Sequence, residues 1–273
     1  MRPVALFVLS LLIPVIVGPA WAAAPSSDPA YELVWSDEFD GTALDLDKWQ
    51  PQIGTGCPDL CGWGNEELQY YRAENATVAD GFLTITAREE RIEESNYTSA
   101  RLRTRHRGDW TYGRFEIRAR MPIGQGMWPA FWMLPTDSRY GGWAASGEID
   151  IVEYLGQEPD TIHGTIHHGG EWPGNTKTGA HFTLPEGDFH SEFHTFAVEW
   201  EPEELRWYVN GQLYQTLDEW WSSKGAYPAP FDQRFHLLLN LAVGGRWPGN
   251  PDASTRFPQE FVIDYVRVYQ RVE

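Results

Sequence analysis

Apolar and polar residues alternate along most of this chain. Between residues 112 and 121, Phe115, Ile117, Ala119 and Met121 fall on one side and Glu116, Arg118 and Arg120 on the other, which predicts a strand with one buried face. The same period of two marks residues 31–37, 81–87, 100–104, 162–168, 193–200 and 261–269. Residues 235–243 are apolar enough to predict a strand covered on both faces. Residues 205–209 and 212–214 flank Asn210-Gly211, the pair that supplies the two positive φ values of a type I′ hairpin. Helical periodicity is scarce; Leu217 to Lys224 predicts one or two turns. Many strands joined by Gly/Pro turns predict an all-β jelly-roll sandwich of two antiparallel sheets, with a closed barrel as the alternative.

One strand-like segment, residues 147–155, carries three acids in an apolar setting: Glu148, Asp150 and Glu153. Strict alternation puts Glu148 and Asp150 on one face and Glu153 on the other. A β-bulge near Ile151-Val152 adds one residue and returns Glu153 to the first face, and bulges are over-represented beside active sites. The two glutamates then behave as i and i+4, roughly 13 Å apart at Cα, with side chains able to converge on a concave sheet. A carboxyl separation of ~5–5.5 Å would suit a retaining glycosidase. The competing reading is a solvated strand edge.

Composition narrows the setting. Residues 1–22 carry Arg2, an apolar run from Val4 to Val17 and Ala20-Trp21-Ala22. This is the pattern of a secretory signal, too short to span a bilayer as a helix, so a secreted protein without a membrane partner is expected. The remaining residues, 23–273, are read as one domain. Removing Arg2, the one charged residue of the leader, takes the net charge from −18 to −19. That argues against nucleic acid and against an acidic substrate, and leaves a neutral polymer free of conflict. Cys57 and Cys61, the only cysteines, predict a local disulfide in an exported protein; a zinc site would need further ligands.

Aromatic residues make up 14% of the chain, and several fall outside core alternation. Trp128 and Trp132 precede the acidic strand, and Trp247 lies in the loop Gly244-Gly245-Arg246-Trp247-Pro248-Gly249. Indoles around carboxylates suit a sugar ring, whose faces stack while its rim hydrogen-bonds; core packing is the alternative for Trp132. In His163-Gly164-Thr165-Ile166-His167-His168, alternation places His163, Thr165 and His167 together, facing the cleft if this strand pairs with the acidic one. Hydrogen bonding to sugar hydroxyls or to Asp150 is favoured there over a metal site.

Gly147-Glu148-Ile149-Asp150-Ile151-Val152-Glu153 resembles the bulged Glu-x-Asp-x-x-Glu signature of glycoside hydrolase family 16 laminarinases. The likeness extends in order through Gly64-Asn65-Glu66-Glu67-Leu68-Gln69-Tyr70-Tyr71, Tyr97 to Leu102, Tyr112 to Arg120, Gly126 to Leu134, His163 to His167 and Asn240 to Gly245. The resemblance implies a concanavalin A-like jelly roll with a concave cleft and a retaining endo-β-1,3-glucanase acting on laminarin-like β-glucan. Glu148 would be the nucleophile, Glu153 the general acid and base, and Asp150 an assisting group, with no cofactor for catalysis. It places Asn65, Arg101, Trp128, Trp132, His167 and Trp247 at sugar, to which strand parity adds His163, and a structural Ca2+ on Asp264 with backbone oxygens of Glu38 and Gly81. A monomer is expected. The alternatives are a mixed-linkage β-1,3-1,4-glucanase, disfavoured by the bulged motif, and a non-catalytic β-glucan recognition protein, disfavoured by the retained acids. Two features depart from the pattern: Val152 stands where many laminarinases have Met, and the Cys57–Cys61 loop is not general to the family.

Overall fold

In the computed structural model, which describes residues 31–272, the alternating segments pair into two sheets around one apolar core. The back sheet runs through strands Gln212–Leu217, Glu204–Val209, His194–Glu201, Gly113–Arg120, Gln259–Arg271, Phe82–Ile92, Ser95–Ser99 and Gln69–Tyr71. Tyr31–Asp37 and Ala76–Ala79 add to its flanks. The second, cleft-bearing sheet runs Asn175–Thr183, Thr161–Gly169, Glu148–Tyr154, Met127–Pro135, Phe235–Val243, Arg101–Arg103 and Gln50–Gln52. This is the expected jelly-roll sandwich, with one difference: Gln69–Tyr71 pairs in parallel with Ser95–Ser99, so the back sheet is mixed.

Strand parity builds the core. Phe115, Ile117 and Ala119 of the back sheet are fully buried, while Glu116 and Arg118 between them reach solvent on the outer face. Phe131, Met133, Ile149, Ile162 and Ile166 of the cleft sheet meet them from the other side. All nine residues of Phe235–Val243 are buried, because its second face lies under the cleft's own side chains. The Asn210-Gly211 turn has φ of 50° and 77°, as type I′ requires.

Leu217 to Lys224 is not helical. The strand Gln212–Leu217 ends there, and the following residues are tied to distant partners instead of to their own next turn. Trp220 packs edge-on against Phe231 at 5.4 Å, and the Gly169 amide donates to the Trp221 carbonyl at 2.9 Å. The expected leader, residues 1–22, lies outside the described residues. Among the described residues no helix is long and apolar enough to cross a membrane.

Candidate active site

The bulge in the acidic strand is present, and Ile151 is the inserted residue. Against Met127–Pro135, Asp150 faces Trp132 while Val152 faces the adjacent Phe131. Against Thr161–Gly169, Asp150 faces Thr165 and Glu153 faces His163, leaving Gly164 opposite both Ile151 and Val152. Ile151 and Val152 both go to the core, and Glu153 returns to the face of Glu148 and Asp150. Gly164 is needed at this point. A Cβ there would come within 2.6 Å of the Trp207 ring and 2.4 Å of the Tyr214 hydroxyl.

Register then arranges the cleft face in rows running across the strands. One row is His181, His163, Glu153, Ala130, Asn240, Arg101 and Gln52. The next is Gly179, Thr165, Asp150, Trp132, Leu238, Arg103 and Gln50. In a third, Lys177, His167 and Glu148 lie side by side. Asp150 therefore sits in the row between the two glutamates. All of these residues except Gln50 border one cleft of about 1130 Å³.

Each glutamate is held by an indole. Trp143 Nε1 donates to Glu148 Oε2 at 2.8 Å, and Trp128 Nε1 donates to Glu153 Oε1 at 3.1 Å. His167 Nε2 lies 3.7 Å from Glu148 Oε1 and 3.4 Å from Asp150 Oδ2. Asp150 Oδ2 and His167 Nδ1 are buried without a hydrogen-bond partner among the described residues. Burial, the leading cause, pushes all three carboxyls up to about 8. The negative charge of Asp150 adds to this for both glutamates, while His167 and the indole N–H groups oppose it.

The seven residues expected at sugar all line this cleft. Arg101 is clamped between the Trp63 and Trp132 rings, 4.5 and 4.8 Å from their centroids, and its Nε donates to Gln52 Oε1 at 2.8 Å. Trp132 is half-buried in the cleft rather than part of the core, and its Nε1 donates to Asn240 Oδ1 at 2.7 Å. Trp247 stands edge-on to Trp128 at 5.5 Å and to His163 at 4.9 Å. Asn65 Nδ2 donates to Glu67, and the Asn65 carbonyl accepts the Arg246 amide, joining the two loops that carry Asn65 and Trp247. Cys57 and Cys61 are disulfide-bonded in the loop that leads to Trp63.

Two sets of residues have donors suited to a cation. Ligand atoms of Glu148, Asp150 and His167 lie within 4.8 Å of one another. The other set is Asp264, Glu38 and Gly81. The register pairs Asp37 with Val266 and Leu83 with Ile263, so these two strands end on one edge of Gln259–Arg271, to either end of Asp264. Asp264 falls at a register shift between Ile263 and Tyr265, and its carboxylate accepts from Arg118. The Glu38 carboxylate is taken by Arg267. One carboxylate with main-chain oxygens is a set that fits Ca2+.

Sequence reasoning missed Trp143, Trp63, Glu67 and Lys177. Trp143 follows Gly141-Gly142, the same Gly-Trp loop signal that singled out Trp247. Glu67 had no such mark; it is half-buried beside Arg101, accepts from Gln69 Nε2 and Tyr71 OH, and burial raises its carboxyl.

Residues 64–267 match the family model described as glycosyl hydrolases family 16. The chain is 46% identical to a β-glucanase of Rhodothermus marinus, over 97% of this chain and 94% of that protein. It is 42% identical to glucan endo-1,3-β-glucosidase A1 of Niallia circulans, over 89% of this chain but 39% of that longer protein. The catalytic domain of an endo-1,3-β-glucanase (laminarinase) from Thermotoga petrophila superposes with a TM-score of 0.81 at 43% identity, covering 89% of this chain and 99% of that one.

Proposed function

We propose that this chain, which belongs to glycoside hydrolase family 16, is a secreted endo-β-1,3-glucanase that cleaves laminarin-like polymers with retention of anomeric configuration. One observation carries the reading: the bulge at Ile151 sets Glu148 and Glu153 on one face, on either side of Asp150, each tethered by a cleft indole. The named relatives act on this class of glucan, and the aromatic walls suit a neutral sugar chain.

The roles follow from charge. With all three carboxyls raised to about 8, a site at neutral pH holds fewer than three negative charges, and the protons belong to the group of three together. Glu148 has the surroundings that best hold a charge: the Trp143 N–H, His167 at 3.7 Å and the field of the buried Arg101. It attacks the anomeric carbon. Glu153, with the Trp128 N–H and more distant cations, keeps its proton and gives it to the leaving oxygen. Asp150 takes or returns a proton between them. In the second step Glu153, now a carboxylate, removes a proton from the water that attacks the glycosyl-enzyme, and Glu148 leaves.

Asn65, Arg101, Trp128, Trp132, His163, His167 and Trp247 hold the sugar; Arg101 and Trp132 are fixed in place before substrate arrives. No cofactor takes part. Asp264 with main-chain oxygens of Glu38 and Gly81 would hold a structural Ca2+ that fastens the first strand to the last. The mature chain would begin at Ala23 and act as a monomer.

The test is laminarin hydrolysis followed by proton NMR, beside mixed-linkage barley glucan. The β-anomer of the new reducing end should appear first, among mid-sized oligosaccharides, and Glu148→Gln should abolish turnover while laminarin still binds. The α-anomer first would refute retention, and turnover by E148Q would refute the assignment of the nucleophile. Faster cleavage of barley glucan would move the substrate to the mixed-linkage polymer.

A further inference from the structure

Two arginines at one end of the cleft have no place in the reading above. Arg101, Arg103 and Arg105 alternate along one strand and its continuation, so all three reach the cleft while Leu102 and Thr104 between them are fully buried. Arg101 has Glu67 and Glu148 to answer its charge. Arg103 and Arg105 do not: among the described residues no carboxylate lies within 4.0 Å of either. Arg103 Nε donates to Gln50 Oε1 at 2.8 Å and Arg105 Nη2 to the Thr136 carbonyl at 2.7 Å, both neutral acceptors. Arg105 Nε is buried without a hydrogen-bond partner among the described residues.

The surroundings leave that charge uncancelled. Asp109, whose neighbour in the register is His236, is already engaged by the Thr136 hydroxyl, the His106 amide and Arg234. The Arg103 guanidinium is held below its usual range by burial and then by Arg105, Arg101 and Arg107. His236, 3% exposed, is pushed down to about 3 by burial and then by Arg103, Arg105, His106 and Arg101. In a chain with 39 acidic residues against 21 basic ones, carboxylates were plentiful. Half-buried guanidiniums without one are costly unless something else supplies the negative charge.

Arg103 shares a row with Asp150, three strands away, or roughly 14 Å along the sheet. A sugar chain lying across the carboxylates therefore runs toward the arginines.

We infer that this end of the cleft binds an anionic substituent, a carboxylate or a sulfate ester, carried on the glucan chain. The planar guanidinium fork matches two oxygens of either group. The inference rests on the glucanase reading for the path of the sugar chain. Neutral glucan stays a substrate, and acidic substitution adds affinity that salt removes.

The test uses the mature chain carrying E148Q, so that binding is read without turnover. Calorimetry would compare neutral laminari-oligosaccharides, the same oligosaccharides oxidised at C6 to carboxylates, and a partly sulfated set, at low and high salt. At low salt at least one acidic probe should bind about 10-fold more tightly than the neutral one, and which probe gains identifies the group. R103Q/R105Q should erase that gain and leave the neutral probe unaffected, whereas R103K/R105K should keep part of it. Equal binding of neutral and acidic probes would overturn the inference while leaving the glucanase reading intact. So would an R103Q/R105Q variant that weakens all probes alike, since that is the mark of a structural role. Failure of the neutral probe to bind at all would strike the glucanase reading itself.

Discussion

Trp207 Nε1, on the back sheet, donates through the core to the main-chain oxygen of Asp150 at 2.9 Å. The bulge at Ile151 interrupts the ladder beside that carbonyl, and the indole takes the freed acceptor. Trp207→Phe keeps most of the packing and leaves a buried carbonyl unpaired, at a cost of about 1–3 kcal/mol. Calorimetry should show Tm lower by roughly 2–10 °C. If the tether also positions the carboxylates, kcat on laminarin should fall more than KM rises; an unchanged kcat would make Trp207 a purely structural support.

The raised carboxyls bear on stability. In the unfolded chain these groups ionise near 4 to 4.5, and in the folded protein near 8. Between those values the folded state binds more protons, so stability falls as pH rises through the window and levels off above it. Glu148→Gln removes one of the buried charges. It should leave Tm near wild type at pH 4 and raise it at pH 9, where the unfolding free energy should exceed that of wild type by an amount on the order of 5 kcal/mol. A Tm difference independent of pH would show that Glu148 is not raised in the folded state.

The parity argument for the acidic strand was legible because two apolar residues, Ile151 and Val152, stand in succession between acids that must share a face. Trp128, Trp132 and Trp247 could be singled out by where they break core alternation. Trp143 could not be aimed at Glu148 from sequence, since its placement depends on how the loop at residues 136–147 folds back over the sheet. The outer strand Asn175–Thr183 also escaped notice: it is an edge strand with little burial, so nothing imposes a period of two on it. The failed helix at Leu217 to Lys224 has the same origin, local propensity overridden by distant backbone partners. The alternation of Arg101 and Arg103 is visible in sequence, but the lack of acids around Arg103 exists only in three dimensions.

Calcium should matter to stability and not to chemistry. Asp264 lies in the back sheet, Glu38 and Gly81 stand at the ends of back-sheet strands, and none of the three borders the cleft. Chelation with EGTA is expected to lower Tm by several degrees and to leave kcat/KM on laminarin at 25 °C unchanged. Asp264→Asn should make Tm insensitive to EGTA. A wild-type Tm that ignores the chelator would mean that the Asp264 ion pair with Arg118 holds this corner without a cation.

The two indoles should control opposite limbs of the pH profile. The Trp143 N–H lowers the Glu148 carboxyl, and the Trp128 N–H lowers that of Glu153. Trp143→Phe therefore raises Glu148, less of it is ionised at a given pH, and the acid limb of kcat/KM should move toward higher pH. Trp128→Phe raises Glu153, which then keeps its proton further into the alkaline range, so the basic limb should move toward higher pH instead. One hydrogen bond to a charged group is worth about 1.5–3 kcal/mol, enough to displace either limb by roughly 1 pH unit or more. Both indoles also border the cleft, so KM is expected to rise in each variant; the limb that moves is the diagnostic. If W143F shifts the basic limb and W128F the acid one, the nucleophile and the proton donor must be exchanged between Glu148 and Glu153.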